Sequence, residues 1–175
     1  KATRVELPLM DKDEAVALLL ELANVEETSY RKENPGAIWP PQAAYTIAAE
    51  CGLLPVTLTI AAQIVRSWGE GWQDSVLPLL REQEGLGQGS ASTAEERVIG
   101  AGLKALEKNK DGAAVKALFH MFAVTMEDFV HPISVVELLW LSCCASESEK
   151  HEHSLTTRLK VRQWTQLLVD HSLLL

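Results

Sequence analysis

The sequence predicts a mainly α chain. Three observations point there: apolar residues recur at helical spacing through most of the 175 residues, capping signals open several of those stretches, and no run of strands alternates with them. Hydrophobic residues make up 47%, enough for a packed core.

Residues Thr3 to Leu9 alternate weakly, like the tail of a strand. Asp11 then caps a first helix, with Glu14 at capping-box distance. Ala15, Leu18, Leu19, Leu22 and Ala23 give that helix an apolar face. The stretch Thr28–Pro40, rich in Asn, Pro, Gly and charge, reads as a loop. A second helix covers Pro41–Glu50 and a third Pro55–Trp68; Gly52 and Gly69 supply their C-terminal stops. Trp72–Glu84 forms a fourth, in which Pro78 must lie in the first turns or cause a kink.

The glycine- and serine-rich run from Gly85 to Ser92 marks a boundary. It divides the chain into a helical domain at 1–86, a linker at 87–92 and a second domain at 93–175. Thr93 and Glu96 are the next capping pair, for a helix to Lys108. Asn109–Gly112 is a turn, followed by helices at Ala113–Ala123, Ser134–Ala145 and Leu155–Val169. Ser172–Leu175 reads as the start of a strand.

Formal net charge is −8, split as −6 over residues 1–90 and −2 over 91–175. Neither half carries the basic footprint that nucleic acid requires, and an acidic surface repels anionic membranes. Lys1–Met10 lacks the apolar core of a signal peptide, and the longest apolar runs are too short to span a bilayer. Cys143 and Cys144 are adjacent, a poor geometry for a bridge; with Cys51 they read as buried reduced thiols of a cytoplasmic protein. The start without Met and the apolar end at Leu175 suggest a piece of a larger protein.

Four stretches in order carry a resemblance. Leu7–Leu19 looks like an "L-x-x-x-E-A-x-x-L-L" helix, Ile47–Leu58 like an "I-x-x-x-C-G-G-L-P-L-A-L" segment, Trp72–Leu77 like a "W-x-x-x-L" helix, and Phe119–Trp140 like "F-x-x-x-A-x-F-P-E-D…L-L-W". In this order they resemble the C-terminal part of the NB-ARC module, the switch ATPase of plant resistance proteins and animal apoptotic activators. The resemblance covers nearly the whole chain. It implies a small helical bundle (the GLPL subdomain) followed by a partial winged-helix domain that ends before its wing. Departures are Leu53 in place of the second glycine, Val56 in place of Leu, and Thr125-Met126 ahead of Glu127-Asp128.

The same resemblance implies an ADP/ATP site. Pro55 would pack on the adenine, Gly52 would let backbone approach closely, and Leu54 would flank the base. The phosphates and magnesium would belong to an upstream P-loop subdomain of the same protein, because no G-x-x-x-x-G-K-[ST] loop occurs in this chain. Exchange of ADP for ATP would favour an open state that forms a homo-oligomer. The segment itself carries no catalytic residues. The alternative, in which Gly52 and Pro55 merely punctuate two helices, makes the chain a helical adaptor for protein partners.

Other constellations point less far. Glu127-Asp128 fits a solvated turn better than acid–base chemistry. Cys143, Cys144, His151 and His153 lack the spacing of a zinc site. Arg158, Lys160 and Arg162 would lie on a DNA-reading helix if the second domain bound nucleic acid, but their spacing spreads them around the helix, as on a solvated face. Trp39, Trp68, Trp72, Trp140 and Trp164 read as core or interface anchors.

Overall fold

The structure, a computed structural model, describes residues 10–82, 93–122, 130–143 and 155–174. Among them are nine helices and no strand, so the chain is mainly α. The helices are α1 (Lys12–Leu22), α2 (Glu27–Glu33), α3 (Gln42–Glu50), α4 (Pro55–Trp68), α5 (Trp72–Arg81), α6 (Ala94–Leu106), α7 (Gly112–Phe122), α8 (Ile133–Cys143) and α9 (Leu155–Asp170). They fall into two compact units divided between Gly102 and Leu103. The weak alternation at Thr3–Leu9 and the expected linker at 87–92 lie outside the described residues.

In the first unit, α1 packs on α3 and α4, and both of these pack on α5. Helix α1 begins as its sequence requires: the Asp11 carboxylate accepts from the Glu14 N–H at 2.8 Å, and the Glu14 carboxylate accepts from the Asp11 N–H at 3.3 Å. Its Ala15, Val16, Leu19 and Leu20 are buried. Helix α4 is the centre of this unit. Thr57, Leu58, Ile60, Ala61, Ala62, Ile64 and Val65 are all buried, more than a single stripe of its surface. Trp72, Val76, Leu79 and Leu80 close the core from α5. Pro78 lies in the second turn of α5, whose last helical residue is Arg81, three positions on.

The segment read as a loop at Thr28–Pro40 contains α2. This helix is seven residues long and has one buried side chain, Tyr30, so no apolar periodicity announces it. Two interactions stabilise it instead. Glu27 and Arg31 pair at 2.7 Å one turn apart, and the Tyr30 ring lies 5.5 Å from that of Trp39. The Trp39–Pro40 peptide is cis.

In the second unit, α9 packs on α7 and α8, and α7 touches α8. Trp140 meets Trp164 edge-on at 5.1 Å between ring centres, and Trp164 donates its indole N–H to Asp111 at 3.1 Å. Gly112 opens α7 where only a hydrogen fits: an added Cβ would stand 2.5 Å from the Glu107 Cα. The expected strand at Ser172–Leu175 is not formed in its described part. Ser172 adopts φ +55°, and the N–H groups of Leu173 and Leu174 turn back to the Leu168 carbonyl at 2.9 and 3.3 Å. The unused carbonyls of the last turn of α9 outcompete an extended chain for these donors.

Glu137 is 3% exposed, an unusual place for a carboxyl side chain. Arg162 of α9 meets it at 2.6 Å, and Arg158 stands at 4.0 Å. Both arginines therefore spend their charge within the unit. Because Glu137 is buried and the arginines are half-exposed, the two sides of the pair are unequal. Arg162→Ala leaves a buried carboxylate with one distant partner and should lower stability by about 2 kcal/mol, whereas Glu137→Leu releases the arginines to water and should cost less. Urea denaturation of both variants checks this order; equal losses would contradict it.

Candidate functional site

The end of α3 and the start of α4 form a tight corner, and the three residues singled out in the sequence all lie there. Gly52 takes φ +67°, the left-handed stop of α3, with its N–H on the Ala49 carbonyl at 3.0 Å. Leu53 also takes a left-handed φ of +56° and donates to the Ala48 carbonyl at 3.2 Å. For a residue with a branched side chain this conformation costs roughly 1–2 kcal/mol. A glycine there would avoid that cost. Leu54 is the N-cap of α4, and Pro55 opens its first turn, where a missing N–H is harmless.

Side chains complete the corner. Thr57 is 1% exposed, and its hydroxyl proton is shared between the Cys51 carbonyl at 2.6 Å and the Leu54 carbonyl at 2.8 Å. From outside, Arg97 of α6 donates to the Glu50 carbonyl at 3.2 Å and approaches the Glu50 carboxylate at 3.5 Å. Arg81 of α5 holds the same carboxylate at 3.0 Å. Two guanidinium groups thus sit at the negative end of the α3 dipole. Thr57, Arg81 and Arg97 were not singled out in the sequence. A threonine two residues after a helix-opening proline was the available signal for the first.

The Ala94 methyl lies 3.4 Å from where a Cβ on Gly52 would stand. Leu54 is half-buried, and Pro55 is exposed, together with Val56 at 61%. Pro55 and Val56 therefore present a small apolar surface on a rigid corner. The three cavities described in the first unit, of about 310, 450 and 380 Å³, are lined from α1 to α5 and the segments between them, and none includes Gly52, Leu54 or Pro55.

The other sequence candidates are dispersed. Trp72, Trp140 and Trp164 are buried, while Trp39 and Trp68 are half-buried. Glu127, Asp128, Cys144, His151 and His153 lie outside the described residues. Among the described residues no group of three His, Cys, Asp or Glu side chains could hold a metal, and no helix is long and apolar enough to cross a membrane. The expectation of buried thiols holds for Cys51 and fails for Cys143, which is exposed at the last position of α8.

No family model matches the chain, and no curated protein or solved structure is significantly similar to it.

Two measurements probe the corner. Thr57→Val keeps the side-chain shape but leaves the buried Cys51 carbonyl without the hydroxyl; the expected loss is about 1–3 kcal/mol, read as a lower urea midpoint at unchanged slope. Burial, with the Glu50 charge beside it, pushes the Cys51 thiol up to about 12. At pH 8 it is almost wholly protonated and unreactive. Iodoacetamide at pH 8 followed by peptide mapping should therefore label Cys143 and spare Cys51; early labelling of Cys51 in the folded protein would contradict the packing of the corner.

Proposed function

We propose that the chain is a regulatory helical segment of a nucleotide-dependent signalling switch of the NB-ARC kind, acting in the cytoplasm. In this reading the corner at Gly52–Val56 supplies one side of the adenine pocket for ADP or ATP. The observation that carries it is the exposure of Pro55, beside Val56, at the start of a helix whose middle is buried. A rigid, flat, apolar ring sits at the surface, on a corner hydrogen-bonded from both sides, at the position where the four ordered sequence stretches require it. An adenine face can stack on such a ring with little further loss of entropy. Leu54, half-buried beside it, would flank the base. Gly52, held in the left-handed turn at φ +67°, would let backbone approach the base closely.

The phosphates would be held by a P-loop subdomain upstream of this chain. Nucleotide bound across the two pieces would hold them together, and exchange of ADP for ATP would change which arrangement is favoured, including a homo-oligomeric one. The second unit, with α7, α8 and α9 packed on one another, would be the helical part of a winged-helix domain.

The test uses the parent protein with its phosphate-binding segment. Calorimetry should show ADP binding, and Pro55→Ala should weaken it roughly tenfold, about 1.4 kcal/mol, with the helical circular-dichroism spectrum unchanged. If ADP affinity is the same in the variant, Pro55 has no such role. If the parent protein binds no nucleotide, the helical-adaptor reading replaces this one.

A further inference from the structure

A second surface of the first unit stands apart from the α3–α4 corner. It is an open trough of about 450 Å³ between α1 and the segment Trp39–Tyr45. Along one wall α1 presents Asp13, Ala17 and Glu21, at i, i+4 and i+8, so the three form one stripe about 12 Å long. The opposite wall is Trp39, Pro40 and Tyr45, and Leu20 and Val25 complete the lining with apolar side chains.

The chemistry of the trough is uneven in a specific way. A carboxylate stands at each end, and between them is a methyl group. Asp13 and Glu21 are both exposed, and neither is ion-paired among the described residues. Tyr45 donates its hydroxyl to the Asp13 Oδ1 at 2.9 Å, which positions that carboxylate and leaves its second oxygen for another donor. Among the described residues no lysine or arginine lines the trough, and its described lining carries two carboxylates. Half-buried Trp39 offers an aromatic face to a cation or an aliphatic stem. Ala17, exposed and small, leaves room midway.

We propose that this trough docks an extended peptide segment of a partner protein, in which two basic residues lie four positions apart with an apolar residue midway between them. In an extended chain, residues i, i+2 and i+4 face the same side, and four steps cover about 13 Å. That span matches the separation of Asp13 and Glu21 along α1. The two basic side chains reach the two carboxylates, and the middle side chain settles over Ala17 against the aromatic wall. Charge complementarity favours a basic occupant, and the length of the stripe fits two basic side chains four positions apart in an extended chain.

Fluorescence anisotropy with the full chain and a labelled peptide Gly-Arg-Ala-Leu-Ala-Arg-Gly tests the proposal. Binding is expected, weakened by salt. The isomer Gly-Arg-Ala-Leu-Arg-Ala-Gly puts its arginines on opposite faces and should bind at least about fivefold less tightly. Glu21→Gln removes one exposed charge and should cost about threefold. Ala17→Lys fills the middle and adds a cation, and should cost at least about tenfold. Both positions are exposed on α1, so circular dichroism should be unchanged. Absence of binding, equal affinity for the two peptides, or no effect of Ala17→Lys would overturn the proposal. So would displacement by spermine at affinity equal to the peptide's, which would make the trough a site for small polycations.

Discussion

The last carbonyls of α3 have no partner within their own helix, and nearly everything in the first unit follows from where those partners come from. The Ile47, Ala48 and Ala49 carbonyls are satisfied by the backbone, through Cys51, Gly52 and Leu53. The Cys51 carbonyl is satisfied by the buried Thr57 hydroxyl, and the Glu50 carbonyl by Arg97. Each of these groups would be costly to bury unpaired. Because Thr57 belongs to α4 and Arg97 to α6, satisfying one helix end ties two others to it, and Arg81 of α5 joins through the Glu50 carboxylate. The α4 core then packs against α1 and α5 without freedom to rotate.

The corner has a chemical consequence. A helix start placed this firmly can hold an apolar residue at the surface without letting it collapse inward, and Pro55 with Val56 is that residue pair. The buried side of the same turn carries Cys51 and Thr57, which are sealed off. One face of the corner is therefore purely structural, and the other is available for contact. The trough along α1 lies elsewhere on the unit, lined by different residues and by opposite chemistry, charged at its ends instead of uniformly apolar.

In the second unit the corresponding constraint is electrostatic. A carboxylate at Glu137 is tolerated inside because two arginines from α9 reach it across the helix interface. The pair couples α8 to α9 alongside the Trp140–Trp164 contact, and it withdraws Arg158 and Arg162 from the role of a free cationic face.

Much of the fold was legible in the sequence because local rules settle it. Asp11 with Glu14, and Thr93 with Glu96, announce two helix starts through caps that need only neighbouring residues. Pro55 and Gly69 bound α4, and the 3.6-residue spacing of apolar side chains marks α1 and α4. What the sequence could not settle depends on partners distant along the chain. Helix α2 forms because Tyr30 meets Trp39, the end of α9 turns back because Leu168 offers a carbonyl, and the Ala94 methyl, 42 positions away, comes to 3.4 Å from where a Cβ on Gly52 would stand. Exposure has the same origin: whether Pro55 or Cys143 faces outward is decided by which surface the neighbouring helices leave uncovered, and that is a property of the packed arrangement rather than of any local pattern.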